Sequence, residues 1–467
     1  MLRRTSKRVK EVLDKMRLPA VVRLSRSFWA DARNGTAAGK LHFVVRQLIV
    51  ATARYRITTL ELPLCEMKEH DAERLAGVLA QCPALAHLDL SGNFYFGAAG
   101  AERLAGVLGQ CRELVHLNLH GNKIGSAGAE WLAGVLTQCA ALAHLDLSSN
   151  DIGAGGAERL AGVLGQCAAL AHLILGYNDI GTVGTERLAV VLVKCKALAH
   201  LNLGGNKIGN AGAESLAGVL GQCRQLVHLN LGYNYIGFAG AERLAGVLGQ
   251  CTSLTHLDLS YNNIPAAGAE VFARALGQCT ALAHLNLWHN EIGDAGAQRL
   301  AGVLAQCTAL AHLNLGNNGI EAGGAESIAG VLAQCPALTH LNLSHNSIEA
   351  EGAERLAGVL PQCRALAHLN LCNNGIGDAG AESLAGVLAQ CPALAHLDLS
   401  YNEIGTVGEG KLRASWGRQA SFSQTSVLEE DEEEQEEEEM GRRGTRDEEA
   451  EELALLPEEL AQLLRRY

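Results

Sequence analysis

A single 28-residue repeat runs through most of this chain, and it limits the fold more than any other feature. Twelve of the 14 cysteines follow one another at intervals of 28 residues, except for a first interval of 29. Each is followed by a histidine five residues later and by an asparagine eleven residues later. These cysteines are Cys82, Cys111, Cys139, Cys167, Cys195, Cys223, Cys251, Cys279, Cys307, Cys335, Cys363 and Cys391. A fixed period of this length is typical of a solenoid, whose repeats bury their apolar side chains against one another.

Each repeat contains one strand pattern and one helix pattern. In residues 144–148 leucines alternate with His, Asp and Ser, which predicts a strand with one buried face. In residues 156–167 apolar side chains recur at intervals of three and four, which predicts a helix with one buried stripe. Glu158 suits the positive amino-terminal end of that helix. Gly162 should destabilise the helix by about 1 kcal/mol relative to alanine, so its recurrence predicts close packing of neighbouring helices there.

Stacked repeats of this kind form an α/β solenoid with parallel strands on one side and α-helices on the other. Strands are spaced by about 4.8 Å, whereas helices need about 8–10 Å. The array should therefore curve into a horseshoe with its strands on the concave face and its helices on the convex face. A degenerate repeat with Cys65 at the asparagine position precedes the other twelve, so we predict 13 strand segments between Leu60 and Leu399.

Charge and composition divide the chain into four segments. Residues 1–56 are basic, with 14 Lys and Arg against 3 Asp and Glu. This segment is either a cap of the array, a targeting segment or a binding arm. Residues 57–412 are the repeat array. Residues 413–446 contain a linker and an acidic run that is predicted to be disordered. This run either confers solubility or binds a basic partner. Residues 447–467 have the pattern of a short helix.

The repeat "LVHLNLHGNKIGSAGAEWLA", residues 114–133, resembles a leucine-rich repeat of the ribonuclease-inhibitor subtype. The array is similar to the repeat region of NLRC3-like NOD-like receptors and, more loosely, to Ran GTPase-activating proteins. This resemblance implies a non-enzymatic scaffold that binds a partner protein on its concave face, in regulatory or innate-immune-type signalling. The alternative is a GTPase activator acting on a small GTPase, because Ran activators also combine such repeats with an acidic tail. The 56 residues before the array are too few for a nucleotide-binding module, and none of the activators' catalytic residues can be matched here.

The cysteine and histidine columns have different interpretations. Each cysteine ends a helical stripe, which predicts a buried free thiol. So many free thiols indicate a reducing compartment, and the absence of a secretory signal pattern favours the cytoplasm, with the nucleus or an organelle as alternatives. The histidines should stand about 5 Å apart on the concave face, either as packed copies of a consensus or as a pH-sensitive or metal-binding stripe. We assign no catalytic residue, no cofactor and no metal ligand.

Rows that depart from the consensus carry the candidate protein-binding residues. Most repeats have Ser or Gly at the end of the exposed strand face and in the following turn, whereas a few have aromatic, His or Cys side chains. These candidates are His120, Tyr177, Tyr233, Tyr235, Tyr261, Trp288, His289, His345, Cys372 and Tyr401. Aromatic side chains on a rigid surface are typical anchors of protein interfaces, and Cys372 should be exposed. We expect the partner to be a protein, whose identity the sequence does not give, and we expect no binding to nucleic acid or membranes. The chain itself should be monomeric.

Overall fold

The computed structural model describes residues 19–23, 48, 56–416 and 420–421. These residues belong to two compact units, a first unit up to Asn178 and a second unit from Asp179. The sequence predictions for the acidic run and for the helix at 447–467 fall outside the described residues.

The first unit alternates strands with helices. Its strands are β1 (Pro19–Arg23), β2 (Arg56–Glu61), β3 (His87–Asp89), β4 (His116–Asn118), β5 (His144–Asp146) and β6 (His172–Ile174). Its helices are α1 (Glu69–Leu79), α2 (Gly97–Leu108), α3 (Gly125–Leu136) and α4 (Gly153–Leu164). The six strands form a parallel sheet in chain order. Strand β1 was not predicted; it lies within the basic segment, and Arg23 Nε is 3.0 Å from Glu61 Oε1.

The second unit continues the same alternation. Its strands are β7 (His200–Asn202), β8 (His228–Asn230), β9 (His256–Asp258), β10 (His284–Asn286), β11 (His312–Asn314), β12 (His340–Asn342), β13 (His368–Asn370), β14 (His396–Asp398) and β15 (Ala420–Ser421). Its helices are α5 (Gly181–Leu192), α6 (Gly209–Leu220), α7 (Phe238–Leu248), α8 (Ala266–Leu276), α9 (Gly293–Leu304), α10 (Ala322–Leu332), α11 (Glu349–Ala357), α12 (Gly377–Leu388) and α13 (Thr406–Trp416). Neighbouring strands are parallel throughout this unit. Helix α13 and strand β15 extend regular structure into the stretch predicted as linker.

The strand register confirms the predicted α/β solenoid. Residues 28 positions apart are paired across neighbouring strands, so His284 lies beside His312 and Leu285 beside Leu313. This register brings identical side chains to the same height in every repeat, and the inward leucines therefore form continuous buried rows. The helical stripe is buried too, and all 14 cysteines are free. Cys223 and Cys335 are half-buried, not fully buried as predicted. Cys372 was expected to be exposed, but only 8% of it is accessible.

An asparagine ladder joins the repeats behind the strands. Asn150 Nδ2 donates hydrogen bonds to the carbonyl oxygens of Leu119, Leu147 and Ser148 at 2.8–3.0 Å. Its Oδ1 accepts hydrogen bonds from the backbone N–H groups of Asn122 at 2.9 Å and Ile124 at 3.3 Å. The side chain is fully buried. The predicted structural role of this column is confirmed, because each asparagine satisfies backbone groups of its own repeat and of the preceding one.

The recurring glycines have two distinct environments. A Cβ atom at Gly156 would stand 2.4 Å from Ile152 Cγ2 and 3.0 Å from Ala129 Cβ, so the preceding repeat packs directly against it. A Cβ atom at Gly162 would meet nothing within 4 Å. The prediction of close helix packing at Gly162 is therefore wrong. The close approach occurs at the first helical turn, whereas the middle of the helix faces solvent at this position.

The recurring glutamates do not stabilise helix starts as predicted. Helix α4 begins at Gly153, and no acidic residue lies in its first turn. Glutamates at this position instead face the next repeat: Arg159 Nε is 3.7 Å from Glu130 Oε1, and Arg243 Nε is 3.4 Å from Glu214 Oε1. These side chains are more than half exposed, so each pair contributes little to stability.

Some helix starts are capped by the preceding repeat. Asn210 Oδ1 accepts hydrogen bonds from the backbone N–H groups of Gly237 at 3.0 Å and Gly240 at 2.8 Å. Asp378 Oδ1 does the same for Gly405 at 2.8 Å and Gly408 at 3.1 Å. Since the first N–H groups of a helix have no partner within the helix, such a cap satisfies them and couples consecutive repeats.

We expect Gly162→Ala to increase the free energy of unfolding by about 0.5–1 kcal/mol, because alanine favours the helix and has open space there. The matched variant Gly156→Ala should decrease it by about 1–3 kcal/mol, because the added methyl group overlaps Ile152. Urea unfolding followed by circular dichroism measures both. Equal shifts in the two variants would contradict the assignment of the two environments.

We expect Asn150→Ala to destabilise the chain by about 3 kcal/mol or more, because it leaves several buried backbone groups without partners. Asn118→Ala provides the control. Asn118 lies on the exposed strand face, where Oδ1 accepts a hydrogen bond from His120 N at 2.9 Å and Nδ2 donates one to Asp89 Oδ2 at 3.3 Å, so its loss should cost about 1 kcal/mol. A smaller effect at Asn150 than at Asn118, in the same unfolding assay, would show that the ladder is not a main source of stability.

Candidate functional site

The exposed face of the sheet ends in a tight turn in each repeat. In strand β5, Asp146 Oδ1 accepts hydrogen bonds from Ser148 N at 2.8 Å and from its hydroxyl at 2.6 Å. The ladder asparagine, Asn150, lies two residues after Ser148, so a single turn residue separates Ser148 from Asn150. That residue has a left-handed backbone conformation in repeat after repeat. Its occupants include Gly121, Ser149, Tyr177, Gly205, Tyr233, Tyr261, His289, Asn317, His345, Asn373 and Tyr401, with φ between +49° and +67°.

The left-handed turn position makes its aromatic occupants informative. A side chain other than glycine or asparagine costs about 1–2 kcal/mol in this conformation. Glycine occupies the position at Gly121 and Gly205, so the turn does not need a bulky residue. Local backbone preference therefore does not explain the tyrosines and histidines, and the candidates at this position distinguish one repeat from another.

Three candidates in the second unit form an aromatic stack. The rings of Tyr233 and Tyr261 are stacked with centroids 3.8 Å apart, and those of Tyr261 and His289 are stacked at 4.4 Å. All three residues occupy the left-handed position of consecutive repeats, so the strand register places them side by side. Stacked ring pairs of this kind contribute about 0.5–1.5 kcal/mol each, which offsets part of the backbone cost.

Trp288 lies beside this stack, one residue before His289. Its ring covers Gly316 of the next repeat, since a Cβ atom there would be 2.1 Å from Trp288 Cζ3. The indole and the His345 ring are arranged edge to face, with ring centroids 5.4 Å apart and an interplanar angle of 75°. Asn373 Nδ2 lies 2.9 Å from His345 Nδ1, so the amide donates to an unprotonated nitrogen. We call Tyr233, Tyr261, Trp288, His289 and His345 the aromatic cluster.

The other candidates lie outside this cluster. Tyr235 is 64% exposed in the turn that follows Tyr233, and Tyr401 is 37% exposed at the far end of the second unit. In the first unit Tyr177 is 45% exposed, and His120 Nδ1 lies 2.8 Å from Ser148 Oγ. Cys372 is buried and does not present its thiol to a partner.

The histidine column forms the predicted row of stacked imidazoles. In the first unit the ring centroids from His87 to His172 are 4.0–5.2 Å apart. In the second unit those from His200 to His396 are 3.9–5.7 Å apart. We call these two rows the histidine ladder. In the described part of the chain no three His, Cys, Asp or Glu side chains are arranged to hold a metal ion.

Burial lowers the pKa of several ladder imidazoles. Burial, together with neighbouring histidines, lowers the pKa of His116 and His144 to about 4 in the first unit. The same causes lower the pKa of His312 and His340 to about 4 in the second unit. At neutral pH these four imidazoles are therefore uncharged, and they give the exposed sheet face polar contact groups without charge.

Sequence reasoning missed two features of this face. One is an apolar group in the first unit, where Phe94 is 54% exposed, Tyr95 64% and Leu64 36%; the insertion "NFYFG" was its only signal. The other is Asp258 in the second unit, whose pKa is raised by burial. Aspartate occupies the same column in other repeats, so nothing in the sequence distinguished this carboxylate from the rest.

Comparison with known proteins identifies the class. The leucine-rich repeat family model matches residues 110–133, 138–161, 194–217, 250–273, 278–301, 306–329, 334–357, 362–385 and 390–408. Together with the parallel sheet and the 28-residue register, this shows that the chain is a leucine-rich repeat protein. Comparison with curated protein sequences gives no match.

Two solved structures illustrate the similarity of fold. The internalin InlF of Listeria monocytogenes is 19% identical, with 82% of this chain and 95% of the internalin chain covered and a TM-score of 0.49. TLR13, solved in complex with ssRNA13, is 23% identical, with 64% of this chain and 40% of that chain covered and a TM-score of 0.40. Among the described residues, no helix combines the length and apolar character needed to cross a membrane.

We expect the free energy of unfolding to decrease as the pH falls from about 6.5 towards 4. The unfolded histidines have an ordinary pKa of 6.5, whereas the folded His312 and His340 have a pKa of about 4. The unfolded state therefore takes up protons first, and acid favours unfolding. Thermal unfolding measured between pH 7.5 and 4 tests this.

The variant His312→Gln/His340→Gln separates histidines from carboxylates, which also titrate in acid. It should show a weaker loss of thermal stability over the same pH range. Imidazole resonances that titrate independently near pH 6.5 in the folded protein would contradict the assignment.

Proposed function

We propose that this chain is a non-enzymatic protein–protein interaction scaffold that binds its partner on the exposed face of the sheet, the face predicted to be concave. The observation that supports it best is the aromatic cluster, in which bulky rings occupy turn positions that glycine fills in other repeats. Side chains that cost stability where they stand are best explained by a contact that they make with another molecule.

The surroundings of the cluster support an anchoring role. Tyr233, Tyr261 and Trp288 are half-buried, so their conformations are restricted before a partner arrives. The strands beneath them are tied together by the asparagine ladder, which limits movement between repeats. Preorganised aromatic side chains lose little conformational entropy on binding, and they are enriched among residues that dominate interface energies.

Finer parts of the proposal rest on the sequence. The repeat consensus supports the ribonuclease-inhibitor subtype with NLRC3-like repeats, and with it a role in regulatory or innate-immune-type signalling. The 14 free cysteines support a reducing compartment such as the cytoplasm. Burial raises the pKa of Cys82 to about 12 and of Cys111 to about 11, so these thiols are poor nucleophiles.

We expect the double variant Tyr261→Ala/Trp288→Ala to weaken partner binding by about thirtyfold or more, as loss of central aromatic anchors does in other interfaces. The partner is first identified by affinity capture on the full chain, and the affinity is then measured with the two purified proteins. Trp131→Ala is the matched control, because Trp131 is 50% exposed on helix α3, away from the sheet face. Its affinity should equal that of the unmodified chain.

Equal affinity of the double variant and the control would overturn the proposed binding face. As a non-enzymatic scaffold, the chain does not catalyse or accelerate a reaction. Addition of the full chain to GTP-loaded Ran should therefore leave the rate of GTP hydrolysis unchanged. Acceleration at micromolar protein would instead support the GTPase-activator alternative.

A further inference from the structure

Oxygen atoms converge over two adjacent glycines on the exposed face of the second unit. Around the point where a Cβ atom would stand on Gly232 lie Ser260 Oγ at 2.9 Å, Asp258 Oδ1 at 3.3 Å and Asn230 Oδ1 at 3.4 Å. The corresponding point on Gly204 lies 3.0 Å from Asn230 Oδ1. Because Gly232 lacks a side chain, these oxygen atoms occupy the space beside it; Asn230 and Asp258 are half-buried there, whereas Ser260 is buried.

The carboxylate in this group has no positive partner among the described residues. Burial raises the pKa of Asp258, while hydrogen bonds from Ser260 N, from its hydroxyl and from Asn286 act in the opposite direction. Its neighbours along β9 and β10 are His256 and His284, and burial lowers the pKa of both, so they supply no positive charge at neutral pH. A desolvated carboxylate of this kind is stabilised by a cationic group that approaches from outside.

Basic side chains are rare on this part of the surface. In the strand-and-turn stretches of the second unit from Ala199 to Glu403, Lys207 supplies the basic charge, and its Nζ pairs with Asp179 Oδ1 at 2.7 Å. The described face therefore attracts cationic groups more than anionic ones.

Two tyrosines directly follow positions of the oxygen group in the sequence. Tyr233 follows Gly232 and Tyr261 follows Ser260, and these two rings form the closest part of the aromatic stack. A guanidinium group is planar, donates five N–H bonds and packs against aromatic rings, whereas an ammonium group has no flat face. Carboxylate, amide and hydroxyl oxygens beside a tyrosine pair match the guanidinium better than they match other cations.

We propose that Asn230, Tyr233, Asp258, Ser260 and Tyr261 form a seat for an arginine side chain of the partner polypeptide. This arginine seat rests on the proposed function and adds the chemistry of one contact. The guanidinium donates hydrogen bonds to the oxygens over Gly232, neutralises Asp258 and lies against the tyrosine pair.

The first unit offers a matched control for the seat. Asp146 and Ser148 repeat the Asp–Ser pair, with Ser148 N 2.8 Å from Asp146 Oδ1. However, His120 takes the place of the glycine, and its ring contacts Ser148 Oγ. Ser149 stands at the left-handed turn position, so no aromatic stack lies alongside. Asp146→Asn thus removes an equivalent carboxylate without touching the seat.

The test uses the full chain with isotope-labelled tyrosines and three acetylated heptapeptides of glycine and serine with a central arginine, citrulline or lysine. Tyrosine resonances are followed by NMR during titration at physiological ionic strength, which weakens binding to the acidic run. The arginine peptide should shift the Tyr233 and Tyr261 resonances saturably. The uncharged citrulline peptide should bind about tenfold more weakly, and the lysine peptide should be weaker than arginine.

Asp258→Asn keeps the hydrogen-bond acceptor and should weaken arginine binding by about five- to tenfold, whereas Asp146→Asn should leave it unchanged. Equal binding of arginine and citrulline, binding of lysine as tight as arginine, or full affinity in Asp258→Asn would each overturn the seat. The two proposals can also be separated. If Tyr261→Ala/Trp288→Ala loses partner binding, while Asp258→Asn binds the arginine peptide as tightly as the unmodified chain does and the citrulline peptide binds as tightly as the arginine peptide, the scaffold proposal is supported and the arginine seat is overturned. Full partner affinity in the double aromatic variant would overturn the scaffold itself.

Discussion

The asparagine ladder is the interaction on which the rest of each unit depends. Every repeat turns sharply after its strand, and a turn buried between repeats would leave several backbone groups without partners. One side-chain amide per repeat forms hydrogen bonds with backbone groups of its own repeat and of the preceding repeat. Asn150 does so for Leu147 and Ser148 of its own repeat and for Leu119, Asn122 and Ile124 of the preceding one. Since an unpaired buried backbone group costs about 1–3 kcal/mol, this single column holds the strands in register and the turns in one conformation.

The ladder also explains where the repeats are irregular. Asn122 Oδ1 and Asn318 Oδ1 have no hydrogen-bond partner among the described residues. In the first case the inserted residue in "NFYFG" moves Phe96 out of reach, and Phe96 N donates to Asn93 O instead. The turn conformation that the ladder imposes gives the exposed face its character too. It holds the residue before each ladder asparagine in the left-handed region, where glycine is favoured, so the local backbone does not account for a tyrosine or histidine there.

Much of the fold followed from spacing, but some residues were assigned to the wrong environment. The 28-residue period predicted the parallel strands, the buried cysteines and the structural asparagines, because these depend on which residues coincide when repeats are stacked. Gly162 and Glu158 were misplaced because a helix pattern shows which face is buried but not how far each turn lies from its neighbour. Cys372 was misplaced because the burial of the last strand position depends on the side chains of the adjacent rows.

The candidate site shows the same division. The aromatic residues were recognisable as departures from a consensus, and the period alone placed Tyr233, Tyr261 and His289 in consecutive rows. Alternation and period together therefore settled the class of fold, the buried columns and the row of histidines. The contact of Trp288 with His345 across Gly316, and the convergence of Asn230, Asp258 and Ser260 oxygens over Gly232, arise only when side chains lean across neighbouring strands. The backbone register of a solenoid is periodic and can be read from one repeat, whereas a binding surface depends on lateral contacts between unlike rows, which exist only in the folded chain.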